Sequence, residues 1–150
     1  MANSSLARPH VEYCSTIWDP YITKNINKLE MVQRRAARFV TGRYQYTDSV
    51  SSMLNELGWR SLENRRRDAR LGMFYKIQNS LVSINLDEYL HPPHLFLRHS
   101  HNLSYQIPFS VTDAHKFSFV PRTVCQWNSL PSQTVNLPSL TCFRGAISKT

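Results

Sequence analysis

Lysine and arginine side chains are concentrated on one side of a predicted helix, where they favour binding of phosphate or carboxylate groups. At about 100° per residue, residues 21–42 place their cations and their apolar side chains on different faces. The cationic positions are Lys24, Lys28, Arg34, Arg35 and Arg38, and the apolar positions are Ile22, Ile26, Leu29, Val32, Ala36, Phe39 and Val40. Glu30 is the single acid in the segment. The pattern predicts an amphipathic helix whose apolar face packs in a core and whose cationic face is open to a polyanion.

A second group of arginines lies in the helix predicted from Ser61 to about residue 79. Arg66 and Arg70 project into the same angular sector as Leu62, so the first half of this helix differs from an ordinary buried face. Three interpretations stay open. Local ion pairs with Glu63 are available, and the arginine stems can instead cover apolar neighbours while their charged heads stay in solvent. In the third, both arginines bind nucleic-acid phosphates or carboxylates of another domain.

The remaining reactive side chains do not form a catalytic or metal-binding pattern. Four histidines cluster in a proline-rich stretch without zinc-ligand spacing, which favours solvated loop residues over metal ligands: His91, His94, His99 and His101. The only adjacent acids are Asp87 and Glu88, and no nucleophile motif or glycine-rich phosphate loop is present. We therefore predict no catalytic residue, no metal and no cofactor.

The overall composition is that of a globular chain with excess positive charge. The 150 residues carry a net charge of +8, and the part through Lys76 holds 13 basic and 7 acidic residues. This field favours nucleic acid or an acidic protein surface as partner. The apolar runs are too short to cross a bilayer, so no membrane association is predicted. Three isolated cysteines indicate buried thiols in a reducing compartment, hence an intracellular location in the cytoplasm or nucleus: Cys14, Cys125 and Cys142.

Periodicity and helix-end signals predict a mainly α fold with three regions. Asp19 and Pro20 are predicted to begin the basic helix and Gly42 to end it. A basic bundle of about four helices is expected in residues 1–86, over 8–18, 21–42, 48–58 and 61–79. Residues 87–120 are expected to be irregular or to form a short β-hairpin from 103–109 and 117–120. Residues 121–150 are expected to form two short helices packing back on the bundle.

Aromatic residues interleave with the basic residues of the first half. Such a pattern is typical of a platform that stacks unpaired bases, but we interpret these residues as core: Tyr13, Trp18, Tyr21, Phe39, Tyr44, Tyr46, Trp59, Phe74 and Tyr75. Trp127 is predicted to be an inward-facing anchor on a short helix that Pro131 terminates.

Four strings in order carry a resemblance to a known protein family. They are RPHVEY at 8–13, KLE at 28–30 leading into VQRRAAR at 32–38, LGWRSLENRR at 57–66, and PRT at 121–123 with WNSLP at 127–131. From Leu6 to Phe143 the chain resembles the region that follows the polymerase core in jockey-type, LINE-class non-LTR retrotransposon reverse transcriptases. The resemblance implies a thumb and post-thumb fragment of an RNA-directed DNA polymerase whose helices lie along a primer–template duplex. The family's palm aspartates and endonuclease residues have no counterpart here, so it implies no catalytic residue.

The function expected from these observations is sequence-independent contact with a nucleic-acid backbone, whether RNA, DNA or a hybrid. The candidate contacts are Lys24, Lys28, Arg34, Arg35, Arg38, Arg66 and Arg70. Two alternatives remain open. The chain is an interaction module for acidic protein surfaces, or it is the non-functional translated relic of a truncated element.

Overall fold

The computed structural model describes residues 12–93 and 100–149, and over these residues the chain is mainly helical, as predicted. The helices are α1 (Thr23–Thr41), α2 (Val50–Glu56), α3 (Leu62–Gln78), α4 (Asp113–Lys116), α5 (Phe119–Asn128), α6 (Ser132–Val135) and α7 (Leu140–Ile147). The described residues contain no β-strand, so the predicted hairpin is wrong. The beginning of the helix predicted over 8–18 lies outside the described residues.

The chain divides into two compact units, Met1–Arg67 and Asp68–Thr150. The division falls within α3, whereas the sequence placed a boundary after residue 86. The physical reason is that Leu71, Phe74 and Tyr75, in the second half of α3, belong to the apolar core of the C-terminal unit.

The two ends of helix α1 are formed by the cap residues Ile22 and Gly42. Its N-cap is Ile22, without a side-chain hydrogen bond, so the predicted cap at Asp19 is wrong. It ends at Gly42, whose φ of 66° is the left-handed conformation expected of a glycine cap.

Helix α1 buries a different side from the one that its apolar pattern predicts. The buried positions are Gln33 and Ala37, and Phe39 and Val32 are 74% and 44% exposed. Two polar contacts hold this orientation: the Gln33 amide donates to the Arg60 carbonyl at 2.9 Å, and the Glu30 carboxylate accepts from the Glu63 amide at 2.9 Å. The predicted apolar face is therefore rotated by about 60° from the side that is buried.

The C-terminal unit is built around an aromatic core. Trp127 and Phe143 are 0% exposed, and their ring centroids lie 5.7 Å apart. Tyr75 stacks on Phe143 with a centroid distance of 4.7 Å. The indole Nε1 of Trp127 donates to the Leu103 carbonyl at 2.9 Å, which satisfies its only polar group. The prediction that Trp127 is an inward-facing anchor is confirmed.

The segment predicted as a strand around Tyr105 is held by a side chain instead of a partner strand. The Tyr105 amide donates to Asn128 Oδ1 at 3.0 Å, and the Tyr105 carbonyl accepts from Asn128 Nδ2 at 2.7 Å. One amide side chain thus replaces the pair of ladder hydrogen bonds that a neighbouring strand would supply. The other predicted strand, 117–120, instead connects two helices. Phe117 is the C-cap of α4, Ser118 is the N-cap of α5, and α5 begins at Phe119.

Several residues predicted to be buried lie at the surface. All three cysteines are exposed, which corrects their assignment to the core. Phe74 and Tyr75 are buried as expected, but six other aromatic residues are exposed: Tyr13, Trp18, Tyr21, Phe39, Tyr44 and Tyr46. Among residues 12–93 and 100–149, no helix combines the length and the apolarity that crossing a bilayer requires.

Candidate functional site

The outer side of α1 carries the cations that the sequence identified. Lys24, Lys28, Arg34 and Arg35 are exposed, and Arg38 is half-buried. None of the ion pairs found among the described residues involves any of these five side chains. We call these five residues the basic face.

Five acids of the same unit make contacts away from the basic face: Glu12, Asp19, Glu30, Asp48 and Glu56. Glu30, which lies on α1 itself, accepts a hydrogen bond at the N-terminus of α3, where a carboxylate also opposes the positive end of the helix dipole. Three further carboxylates form ion pairs, Arg65–Glu12 at 2.7 Å, Arg66–Asp19 at 2.8 Å and Arg43–Glu56 at 2.9 Å. The Asp48 carboxylate accepts a hydrogen bond from the Gln45 amide at 3.0 Å. None of these contacts involves a side chain of the basic face.

Arg66 does not belong to this surface. It is 1% exposed, and its Nε donates to Asp19 Oδ1 at 2.8 Å. Burial lowers the pKa of Arg66, while the surrounding carboxylates of Glu30, Glu63 and Glu12 oppose that effect. A phosphate in solvent cannot reach this guanidinium, so its assignment as a contact is corrected to a buried ion pair.

Arg70 is also an interior residue. It is 2% exposed, and its Nη2 donates to Gln126 Oε1 at 3.0 Å. Burial, together with the nearby Arg122 charge, lowers the pKa of Arg70 to about 9, so it is still a cation at neutral pH. Its assignment as a surface contact is corrected in the same way.

The partner of Arg66 was not predicted from the sequence. Asp19 was predicted to begin α1, but its side chain is 7% exposed and pairs with an arginine 47 residues away. A signal was present, because an arginine in an apolar sector requires a buried acceptor. The spacing alone does not identify which acid supplies it.

The histidines do not form a metal site in the part of the chain that the structure describes. His91 is exposed, whereas His101 is 3% exposed and its Nε2 lies 3.0 Å from the Trp127 carbonyl. His101 is thus a core residue, not the solvated loop residue that the sequence favoured. His94 and His99 lie outside the described residues. No group of three or more His, Cys, Asp or Glu residues within 12–93 and 100–149 is placed to hold a metal ion.

A cavity of about 490 Å³ lies between α2 and the start of α3. Its lining is made of Ser51, Leu54, Asn55, Gly58, Trp59, Arg60, Ser61 and Asn64. These residues supply hydroxyl, amide, indole and guanidinium groups without a carboxylate, histidine or thiol.

Comparisons with protein-family models, with curated proteins and with solved structures find no match to this chain.

Proposed function

We propose that the basic face of α1 binds the phosphate backbone of nucleic acid without sequence selectivity. The observation that supports this most directly is the lack of any ion pair between the basic face and the described residues, while neighbouring carboxylates pair elsewhere. Lysine and arginine side chains that neutralise phosphates release the counterions condensed on the nucleic acid, which makes binding favourable at low salt. The contacts assigned to this function are Lys24, Lys28, Arg34, Arg35 and Arg38.

We further propose that the chain derives from the thumb and post-thumb region of a jockey-type non-LTR retrotransposon reverse transcriptase. The resemblance of the four strings supports this origin. As a fragment without the palm aspartates, it contributes nucleic-acid contacts and no catalysis, and the polymerase core of the parent would be its other partner. A location in the cytoplasm or nucleus follows from such a partner.

The salt dependence of binding to an RNA–DNA hybrid tests the basic face. Each phosphate neutralised contributes about −0.9 to the slope of log affinity against log salt on B-form DNA. Five contacts at most therefore predict a slope between about −2 and −4.5 on a hybrid of similar charge density. A flat response would exclude backbone binding.

Charge reversal on α1 locates the contacts. We expect the double change Arg34→Glu and Arg35→Glu to weaken binding and to reduce the steepness of the slope by about 2. The matched control is Lys116→Glu with Lys149→Glu, which changes the net charge equally at exposed positions of the C-terminal unit. Equal losses in both double variants would mean that overall charge, and not the basic face, governs binding.

An acidic protein surface remains the competing partner, because the same cations attract carboxylates. Heparin distinguishes the two partners. It should displace nucleic acid readily from a face that recognises charge alone, whereas a partner held by shape complementarity should remain bound.

A further inference from the structure

One row of side chains on α1 alternates cations with exposed apolar groups. Lys28, Val32, Arg35 and Phe39 are spaced by four, three and four residues, so they share a strip of the helix surface. At 1.5 Å per residue the row is about 16 Å long. Phe39 is 74% exposed and Val32 is 44% exposed, and both cations are exposed. We call these four residues the mixed row.

The mixed row lies on the solvent side because α1 is held by its other side. Gln33 and Ala37 are the buried positions of the helix, and they lie about 150° around the axis from the mixed row. The hydrogen bond from Gln33 to the Arg60 carbonyl keeps that side inward. The exposure of Phe39 is therefore a consequence of how the helix is anchored within its unit.

The alternation within the row selects among ligands. A partner helix or a membrane surface binds mainly through an apolar strip. In the mixed row each exposed apolar side chain has a cation beside it, since Lys28 precedes Val32 and Arg35 lies between Val32 and Phe39. A single-stranded nucleic acid has the complementary pattern, since anionic phosphates alternate along it with flat bases that stack on aromatic rings. A duplex presents its phosphates but keeps its bases stacked inside.

We propose that the mixed row binds single-stranded nucleic acid, with an unpaired base stacked on Phe39 and adjacent phosphates bound by Lys28 and Arg35. This inference rests on the proposed backbone-binding function and adds a preference for unpaired over paired strands. Phe39 supplies that preference because only unpaired bases expose a face to its ring.

Fluorescence anisotropy with three labelled probes tests the proposal. The probes are a mixed-sequence single strand of about 12 nucleotides, a duplex of the same length, and a strand with the same phosphates but abasic sugars at its central positions. We expect Phe39→Ala to weaken binding to the single strand roughly tenfold, with less than a twofold effect on the duplex and the abasic strand. Phe39→Trp should retain single-strand binding.

The control is Phe109→Ala, which removes a second exposed phenylalanine, 88% exposed, from the other unit. This variant should bind all three probes as the unchanged protein does. Equal losses for single strand and duplex in Phe39→Ala, or no loss, would overturn the stacking inference while leaving backbone binding intact. Failure of the unchanged protein to bind any probe would overturn both proposals. An unchanged far-UV dichroism melt of Phe39→Ala excludes misfolding as the cause.

Discussion

The ion pair between Arg66 and Asp19 is buried within the N-terminal unit. Their side chains are 1% and 7% exposed, and the Nε–Oδ1 distance is 2.8 Å. We expect Arg66→Ala to lower the free energy of unfolding by about 3–5 kcal/mol, because it leaves a buried carboxylate without this partner. Urea unfolding followed by far-UV dichroism measures the loss.

The exposed pair Arg43–Glu56 is the control for this prediction. Its N–O distance is 2.9 Å, nearly the same, but its side chains are 48% and 49% exposed. We expect Arg43→Ala to lower the free energy of unfolding much less than Arg66→Ala does, since water screens and replaces the exposed contact. Similar costs for Arg43→Ala and Arg66→Ala would contradict the assigned role of burial.

The phenol of Tyr105 is expected to make the stability of the protein depend on pH in the alkaline range. Burial raises the pKa of Tyr105, and the Asp87 carboxylate adds to the rise. As the pH rises, the Tyr105 phenol therefore ionises first in the unfolded chain, near pH 10. The stability that the neutral phenol contributes is present below about pH 10, and it is lost as the pH rises through the folded-state pKa. The difference in unfolding free energy between the unchanged protein and Tyr105→Phe should therefore shrink above about pH 10. Urea unfolding at a series of pH values measures this difference, and a constant gap would show that Tyr105 has an ordinary pKa.

At the level of the helices, two glycines predict opposite effects of the same substitution. Gly42 has φ of 66° with no atom within 4 Å of an added Cβ, so Gly42→Ala meets a purely conformational penalty. We expect a loss of about 1 kcal/mol, because alanine is disfavoured in the left-handed conformation that ends α1. Thermal unfolding of the variant measures it.

Gly145→Ala is the matched control, since Gly145 lies within α7 and also has open space at its Cβ position. Here alanine should stabilise by about 0.5–1 kcal/mol through its higher helix propensity. A loss of stability at both positions would mean that packing around the added methyl group, and not backbone conformation, decides the outcome.

The helices also show how far local sequence determines structure. The predicted ranges 21–42, 48–58 and 61–79 contain the observed α1, α2 and α3, because apolar spacing, caps and glycine stops act within a few residues. The rotation of α1 was not predicted. It depends on contacts of Gln33 and Glu30 with Arg60 and Glu63, which lie 27 and 33 residues away.

At the level of the whole molecule, the two units are stabilised by different kinds of interaction. Among the described residues of the N-terminal unit, the buried hydrophobic ones are Ala37, Met53 and Leu62, whereas the C-terminal unit has a larger aromatic core around Trp127 and Phe143. We expect the backbone amides of α1 and α2 to exchange hydrogen through openings of lower free energy than the backbone amides of α5 and α7. Mass spectrometry of peptides from each helix measures this order, and uniform protection would show that the chain opens as one cooperative unit.

The amino-acid sequence by itself determined that this protein is mainly helical, where its longer helices lie, and which cations line the outer side of α1. Those properties depend on residues one or two helical turns apart. Only the tertiary structure decided that Arg66 and Arg70 are buried, that Phe39 is exposed and that Asn128 replaces a strand beside Tyr105. Each of these outcomes is set by contacts or packing between residues far apart in the chain, such as the 47 residues between Asp19 and Arg66, and local periodicity carries no information about such partners.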